Sequence, residues 1–112
     1  MLTPFGEKLD REMPLSEYPR PQLRREGWQC LNGSWEYAIR PTLPEEPFPE
    51  SWDGSILVPF SPESELSGVG RTLQPAETLW YRRYFALPEN WNAGKRLLLH
   101  FGAVDQEAAV FV

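Results

Sequence analysis

The strongest constraint on the fold of this chain is the alternation of apolar and polar side chains along it. Three stretches near the C-terminus, residues 80–87, 96–101 and 107–112, alternate with a period of two. This period sends neighbouring side chains to opposite faces of a sheet and is typical of β-strands. Two further stretches, residues 34–39 and 55–58, have the same strand character. The sequence therefore predicts five strands and no long helix.

Five strands joined by long loops predict an all-β fold of the sandwich or jelly-roll type. A jelly roll has about eight strands, so five are too few to complete one. The last predicted strand also ends on Phe111 and Val112, with no turn or polar tail after it. A terminal apolar strand with unpaired backbone groups is a poor end for a domain. We therefore expect the β-sandwich to be incomplete at the C-terminus.

The 112 residues are enough for one domain at most. The first 27 residues carry four prolines and mixed charges. Their motif YPRPQ, residues 18–22, favours extended backbone because a proline disfavours helical geometry in the residue before it. We predict an N-terminal lead-in strap over residues 1–27 and a partial β-domain over residues 28–112.

Charge is unevenly distributed along the chain. Residues 41–79 carry seven acidic side chains against Arg71 alone, a balance of −6. A nucleic-acid-binding surface requires a basic patch that neutralises phosphates. The sequence therefore predicts that nucleic acid is not a partner.

The cellular compartment is predicted from targeting and membrane signals that the sequence lacks. No stretch of about 18 apolar residues is present, so no membrane-spanning helix is expected. The N-terminus has charges where a secretory signal requires an apolar run. Cys30 is the only cysteine, which excludes an intramolecular disulfide and fits a reducing compartment. We predict a cytoplasmic protein without a membrane partner.

The sequence contains no convincing catalytic constellation. His100 is the only histidine and falls on a predicted strand face without a nucleophile beside it. Two carboxylates suffice for glycoside hydrolysis, but they must be held on rigid elements. The paired acids at residues 45–46, and those at Glu63 and Glu65, lie in loops. We predict no catalytic residue, no cofactor and no metal site in this chain.

Arg83 shares a predicted strand face with Tyr81 and Phe85. A guanidinium buried without a partner would be very costly. Either this face lies at the edge of the core, or an acidic side chain reaches Arg83. Asp105 and Glu36 are the candidates for that partner, and the sequence does not choose between them.

The tryptophans are the candidates for ligand contact, because a flat apolar ring can pack on a sugar as well as in a core. Trp35 and Trp80 fall within predicted strands and are expected to pack in the core. The others stand at loops or turns. Together with an aspartate at the bend after residues 96–101, they form the candidates for sugar or interdomain contact: Trp28, Trp52, Trp91 and Asp105.

The order of several short motifs is more specific than their composition. Residues 18–112 resemble the N-terminal domain of glycoside hydrolase family 2, which includes β-galactosidases, β-glucuronidases and β-mannosidases. No single motif is diagnostic, and the resemblance rests on their order and spacing. The motifs are RP at residues 20–21, LNGSWEY at 31–37, ILVP at 56–59, ELSGV at 65–69, WYRR at 80–83, LP at 87–88, KRLLLHFGAVD at 95–105 and AVFV at 109–112.

The resemblance implies a galactose-binding-like jelly-roll domain in a retaining exo-glycosidase that cleaves β-glycosides. In relatives, an immunoglobulin-like domain and a TIM barrel follow, and the barrel carries both catalytic glutamates. Neither glutamate maps onto this chain, so the resemblance assigns it no catalytic residue. The implied partners are the carbohydrate substrate of the parent enzyme, the two C-terminal domains and further copies of the enzyme in a homo-oligomer.

Two alternatives remain open from the sequence. One is an independent carbohydrate-binding module, whose exposed aromatic rings bind sugar without hydrolysis. The other is a β-domain that serves protein interaction. Both share the predicted all-β fold, so the fold does not discriminate among the three hypotheses.

Overall fold

A computed structural model describes residues 2–17, 22, 26–45, 47–89 and 94–112 of the chain. Most of the YPRPQ motif and Trp91 lie outside the described residues.

The central element is strand β1, Gly33–Pro41, which pairs on both sides. Strand β2, Gly54–Val58, and strand β3, Glu77–Arg82, both run antiparallel to it. The sheet order is β2-β1-β3. The strands predicted over residues 34–39 and 55–58 are therefore confirmed. A glycine opens β1 and a proline closes it, as expected for residues that interrupt regular strand structure.

The register fixes which side chains share a face of the sheet. Trp35 lies opposite Ile56, and Tyr37 lies opposite Tyr81. The rings of Trp35 and Tyr81 meet edge to face, with centroids 6.3 Å apart. Directly opposed residues project to the same side, so Trp35, Tyr37 and Ile39 share one face, as the alternation predicts.

The core is small and lies on both sides of the sheet. Ile56 is 1% exposed and Ala38 is fully buried. Ile39 lies on the same face as Ile56, and Leu57 on the same face as Ala38, and both are also buried. Apolar burial of this kind contributes about 25 cal/mol per Å² removed from water.

The N-terminal segment is held against the rest of the molecule. It begins with the one-turn helix α1, Pro4–Glu7, whose first position suits proline because no backbone N–H is needed there. The hydroxyl of Thr3 accepts a hydrogen bond from the backbone N–H of Gly6, which caps the turn. Further along, Pro14 is fully buried, and the amide Nδ2 of Asn32 donates to its carbonyl oxygen at 3.0 Å.

A single turn of 3₁₀ helix, Glu65–Ser67, packs against β2. The Ser64 hydroxyl caps its start, and Gly68, in the left-handed conformation, ends it. Ser67 is buried, and its hydroxyl donates to the Ser64 carbonyl oxygen at 2.7 Å while accepting from the N–H of Val69. The hydroxyl thus satisfies its own hydrogen-bonding capacity inside the fold.

The predicted C-terminal strands differ from the structure. β3 starts earlier than predicted and ends at Arg82, so residues 83–87 lie outside it. Residues 96–101 and 107–112 form no strand, and every described residue from 94 onward is exposed. Alternation shows only that a segment is able to pair; a strand also requires a neighbour at the matching register. These two predictions were wrong for the described structure.

The described residues thus form an all-β arrangement: one three-stranded antiparallel sheet with short helical turns.

A substitution at Gly33 tests how closely the N-terminal segment approaches the sheet. Its φ is +123°, and a Cβ atom there would lie 2.8 Å from the carbonyl oxygen of Glu12. We expect Gly33→Ala to lower the free energy of unfolding by about 1–3 kcal/mol, since both the backbone conformation and the space disfavour a side chain. The measurement is urea denaturation followed by tryptophan fluorescence.

The matched control is Gly102→Ala, because a Cβ atom at Gly102 meets nothing within 4 Å. This exposed change should stay within about 0.5 kcal/mol of the original chain. Equal stability of the two variants would contradict the close approach at Gly33.

Candidate functional site

A row of polar side chains crosses all three strands. In the register of the sheet, Glu36 of β1 lies opposite Ser55 of β2 on one side and Arg82 of β3 on the other. Directly opposed residues share a face, so these three side chains project together. Ser34, two residues before Glu36 on β1, lies on the same face.

Arg82 lies at one end of this row and contacts several of its neighbours. Its Nε donates to Oε2 of Glu36 at 2.7 Å. Its guanidinium carbon lies 4.3 Å from the centroid of the Trp52 ring and 5.4 Å from that of Tyr84. Both distances are within the range of cation–π attraction. We call Glu36, Trp52, Arg82 and Tyr84 the Arg82 cluster.

The charges of the cluster stabilise each other. The hydrogen bond from Arg82 lowers the pKa of Glu36 below its usual range. The same hydrogen bond raises the pKa of Arg82. Both groups are therefore charged at neutral pH, and the pair is neutral overall.

A shallow pocket of about 300 Å³ opens beside the cluster. This volume is at the lower end of the range for small-molecule sites. Its lining includes Ser34, Glu36, Ser55, Arg82, Arg83 and Tyr84. The pocket therefore combines hydroxyl groups, a carboxylate, two guanidinium groups and an aromatic ring.

Arg83 does not pair with either of the carboxylates considered from the sequence. Its Nη1 donates to the backbone carbonyl oxygens of Leu31 at 2.8 Å and Asn32 at 2.9 Å. Its guanidinium carbon also lies 5.9 Å from the Trp35 ring. Glu36 is instead taken by the neighbouring Arg82. The sequence suggested a carboxylate as the partner of Arg83. In the structure, its hydrogen-bond acceptors are instead the backbone carbonyl oxygens just before β1.

A second charged group, Asp53, has a structural role immediately before the first residue of β2. Its backbone N–H donates to the Tyr37 carbonyl oxygen, and its Oδ2 accepts from the N–H of Ile39 at 2.8 Å. Arg40 donates to the same carboxylate at 2.8 Å. The backbone hydrogen bond, followed by that of Arg40, lowers the pKa of Asp53. Asp53 therefore extends the hydrogen bonding of β1 past the last paired residue of β2.

An aromatic group lies further along the face that carries Ala38. Phe48, Trp80 and Phe111 have ring centroids 4.9–6.5 Å apart. Phe111 is the point at which the exposed C-terminal segment contacts the sheet through this group. Trp80, predicted as core, is thus half-buried beside the proline-rich loop that follows β1.

Of the three candidate contact residues that the structure describes, one lies in the pocket region. Trp52 stacks on Arg82, whereas Trp28, 37% exposed, does not line the pocket. Asp105 is exposed and takes part in no ion pair among the described residues. Trp91 lies outside the described residues.

Sequence reasoning did not select Glu36, Arg82 or Tyr84 as site residues. The signal that would have found Arg82 and Tyr84 was present, because they share a strand face in the alternation of residues 80–87. The pairing of that face with Glu36 required the register between β1 and β3.

Three other kinds of functional feature were sought in the described part of the chain: a catalytic histidine, a metal site and a membrane-spanning helix. His100, which the sequence placed on a strand face, is exposed and lies outside the strands of the described residues. Within residues 2–17, 22, 26–45, 47–89 and 94–112, no group of three or more His, Cys, Asp and Glu side chains is placed to hold a metal ion. None of the helices among these residues has the length and apolar character needed to cross a bilayer.

No protein-family model matches the chain, and a comparison with curated proteins gives no match. Function is therefore inferred from the residues and their geometry.

The ion pairs predict how stability depends on pH. The pKa of Asp53 lies below its usual value of 3.8, and that of Glu36 below 4.5. As the pH falls, these two carboxylates therefore bind protons at a higher pH in the unfolded chain than in the folded one. Both groups stabilise the fold above about pH 5 and lose this effect in acid. We expect Asp53→Asn to lower the urea midpoint at neutral pH and to flatten its decline in acid.

The control for this experiment is Asp105→Asn, which removes an exposed carboxylate outside the ion pairs of the described residues. It should leave the pH profile of the urea midpoint unchanged. An Asp53→Asn profile that falls as steeply as that of the original chain would show that Asp53 contributes nothing through its charge.

Proposed function

We propose that this chain is a non-catalytic β-domain segment of a retaining exo-glycosidase of the family 2 type. The observation that carries the proposal is the convergence of the family-like motifs. Residues 33–37, 56–58 and 80–82 belong to three separate motifs of the resemblance and are hydrogen-bonded neighbours in one sheet. Motifs that are distant in sequence but adjacent in space are those that specify a fold.

The carboxyl groups support a non-catalytic role. A retaining glycosidase requires one carboxylic acid whose pKa is raised, so that it can protonate the leaving group. Hydrogen bonds instead lower the pKa of Glu36, Asp53 and Glu63. The first two are also committed to Arg82 and Arg40. In the proposal, the catalytic glutamates belong to a TIM barrel elsewhere in the parent enzyme.

The proposed domain is a galactose-binding-like jelly roll of which the sheet described above is one part. β2 and β3 each have one side not paired in this sheet, and further strands would pair there. Residues 96–101 and 107–112 retain the alternation that such strands require. In the parent enzyme, the domain would pack against the barrel and shape the rim of the substrate pocket. A cytoplasmic, homo-oligomeric enzyme is part of the same proposal.

A second candidate function is a carbohydrate-binding module without hydrolase activity. The observation that favours it is the pocket beside the Arg82 cluster, where an exposed tyrosine ring adjoins a carboxylate and guanidinium groups. The two functions are compatible in one polypeptide, and they differ in whether a hydrolase domain follows.

The proposal predicts that the 112-residue chain does not hydrolyse nitrophenyl β-galactoside or β-glucuronide. The reason is that two carboxyl groups about 5 Å apart, one of them with a raised pKa, are required for retaining chemistry. Release of nitrophenolate is measured by absorbance, with boiled protein as the blank. Turnover that co-purifies with the chain through two chromatographic steps would refute the non-catalytic role.

The parent enzyme is tested separately, by sequencing the gene beyond codon 112. The expected continuation encodes further strands, an immunoglobulin-like domain and a barrel with two glutamates at strand ends. A reading frame that ends without a hydrolase domain would reject the glycosidase and leave the binding module.

A further inference from the structure

The side chain of Asn32 fastens the N-terminal segment to the start of β1. Its amide Nδ2 donates to the carbonyl oxygen of Pro14 at 3.0 Å and to that of Leu15 at 3.4 Å. Pro14 is itself buried, so its carbonyl oxygen depends on a partner inside the protein. We call the contact of Asn32 with Pro14 and Leu15 the Asn32 latch.

The segment held by the latch is shaped tightly around it. Leu15 has a φ of +50°, a left-handed conformation that is unfavourable for a residue with a side chain. Asp10 Oδ1 accepts from the backbone N–H groups of Glu12 and Met13 and so bends the chain just before the latch. The Glu12 carbonyl oxygen then lies 2.8 Å from where a Cβ atom of Gly33 would be. Strained backbone of this kind persists only while its surroundings hold it.

The bond that follows the latch residue is chemically reactive. In an asparagine–glycine pair, the backbone nitrogen of the glycine can attack the side-chain carbon of the asparagine, because no glycine side chain hinders the approach. Here the Gly33 nitrogen loses its proton to water and forms a bond to Cγ of Asn32, while the Cγ–Nδ2 bond breaks and ammonia leaves. One water molecule then opens the five-membered imide to aspartate or isoaspartate. The sum is an amide and water giving an acid and ammonia, with no oxidant or reductant.

The fold restrains both reacting groups. The Asn32 amide is held by two carbonyl oxygens, and Gly33 belongs to the paired strand β1, opposite Val58. A ring can form only when the side chain leaves the latch and the backbone at Gly33 moves. The reaction therefore proceeds from a locally opened state, whose population is set by the stability of the latch.

The product cannot close the latch again. The atom lost as ammonia is Nδ2, the donor to Pro14 and Leu15. The carboxylate that replaces it only accepts hydrogen bonds, so it would face two carbonyl oxygens without a proton between them. A carboxylate that turned towards Arg83, whose Nη1 donates to the Asn32 carbonyl oxygen at 2.9 Å, would leave the N-terminal segment as well.

We propose that Asn32–Gly33 is a site of spontaneous deamidation, and that its product releases the N-terminal segment, residues 2–17, from the sheet. Opening of the latch is reversible while the amide is intact and becomes irreversible once the acid has formed. The site thus limits the lifetime of the docked segment. It goes beyond the proposed function and holds whether or not a hydrolase domain follows.

The first test follows the chemistry. The 112-residue chain is incubated in mildly alkaline buffer, with and without denaturing urea, and peptide mass spectrometry measures the gain in mass from amide to acid. In urea, Asn32 should react about tenfold faster than Asn90 and Asn92, which are followed by residues that carry side chains. In the folded chain, the reaction at Asn32 should be slower by about tenfold or more, because it waits for the latch to open.

The second test follows release of the segment. Lys8 and Arg11 are exposed in it, and the initial rate of trypsin cleavage after them reports how freely it moves. Asn32→Asp, which has the product's carboxylate, should raise this rate about tenfold. Deamidated chain, separated by ion exchange, should behave in the same way. Tryptophan emission should stay that of the folded chain, since the sheet remains paired.

Two control variants separate the site from general effects. Asn90→Asp makes the same change of charge elsewhere in the chain and should leave cleavage in the N-terminal segment unchanged. Asn32→Gln keeps an amide donor but would need a six-membered ring, so it should gain no acid at this position while Asn32 of the original chain reacts.

Four results would overturn the proposal. The first is a reaction at Asn32 in urea no faster than at Asn90 and Asn92. The second is an equal rate in the folded and the unfolded chain, which would mean that the latch restrains nothing. The third is a folded Asn32→Asp chain that trypsin cleaves as slowly as the original. The fourth is loss of the folded tryptophan emission in both Asn32→Asp and the deamidated chain, because the whole sheet rather than the segment would then be released.

Discussion

Everything described in this molecule depends on the pairing of β1 with a strand on each side. β2 and β3 are five and six residues long and are joined to each other only through β1. Short strands are marginal in isolation, and a third strand with buried side chains is needed for independent stability. The buried residues Ala38 and Ile39 are on β1 itself, and Gly33 at its start admits the N-terminal segment. The central strand therefore organises both the core and the strap.

Charged side chains complete the sheet where the backbone pairing ends. Asp53, just before the start of β2, accepts from the N–H of Ile39 on β1, and Arg83 donates to carbonyl oxygens just before β1. Both provide partners for backbone groups near the ends of the ladder. Arg82 and Glu36, by contrast, are only partly used by the fold.

The predictions from the sequence succeeded where side-chain periodicity was sufficient. The strands around Trp35 and Ile56 and the shared face of Trp35, Tyr37 and Ile39 followed from the alternation. The same reasoning failed for residues 96–101 and 107–112, which alternate equally well but lie unpaired. It also offered only carboxylates as candidate partners of Arg83, because backbone carbonyl oxygens carry no signature in the sequence. Of the three candidate contact residues that the structure describes, Trp52 lies in the cluster and Trp28 and Asp105 do not.

The sequence by itself determined the all-β class and the strand segments around Trp35 and Ile56, since these depend on residue type and local spacing. Only the tertiary structure decided that Glu36 stands between Ser55 and Arg82, and that Trp52 packs on the arginine. The reason is that strand register is a property of two segments at once. Residues 36 and 82 are 46 positions apart, and no local preference relates them. Their contact is set by how β1 and β3 align, and the pocket exists only after that alignment is made.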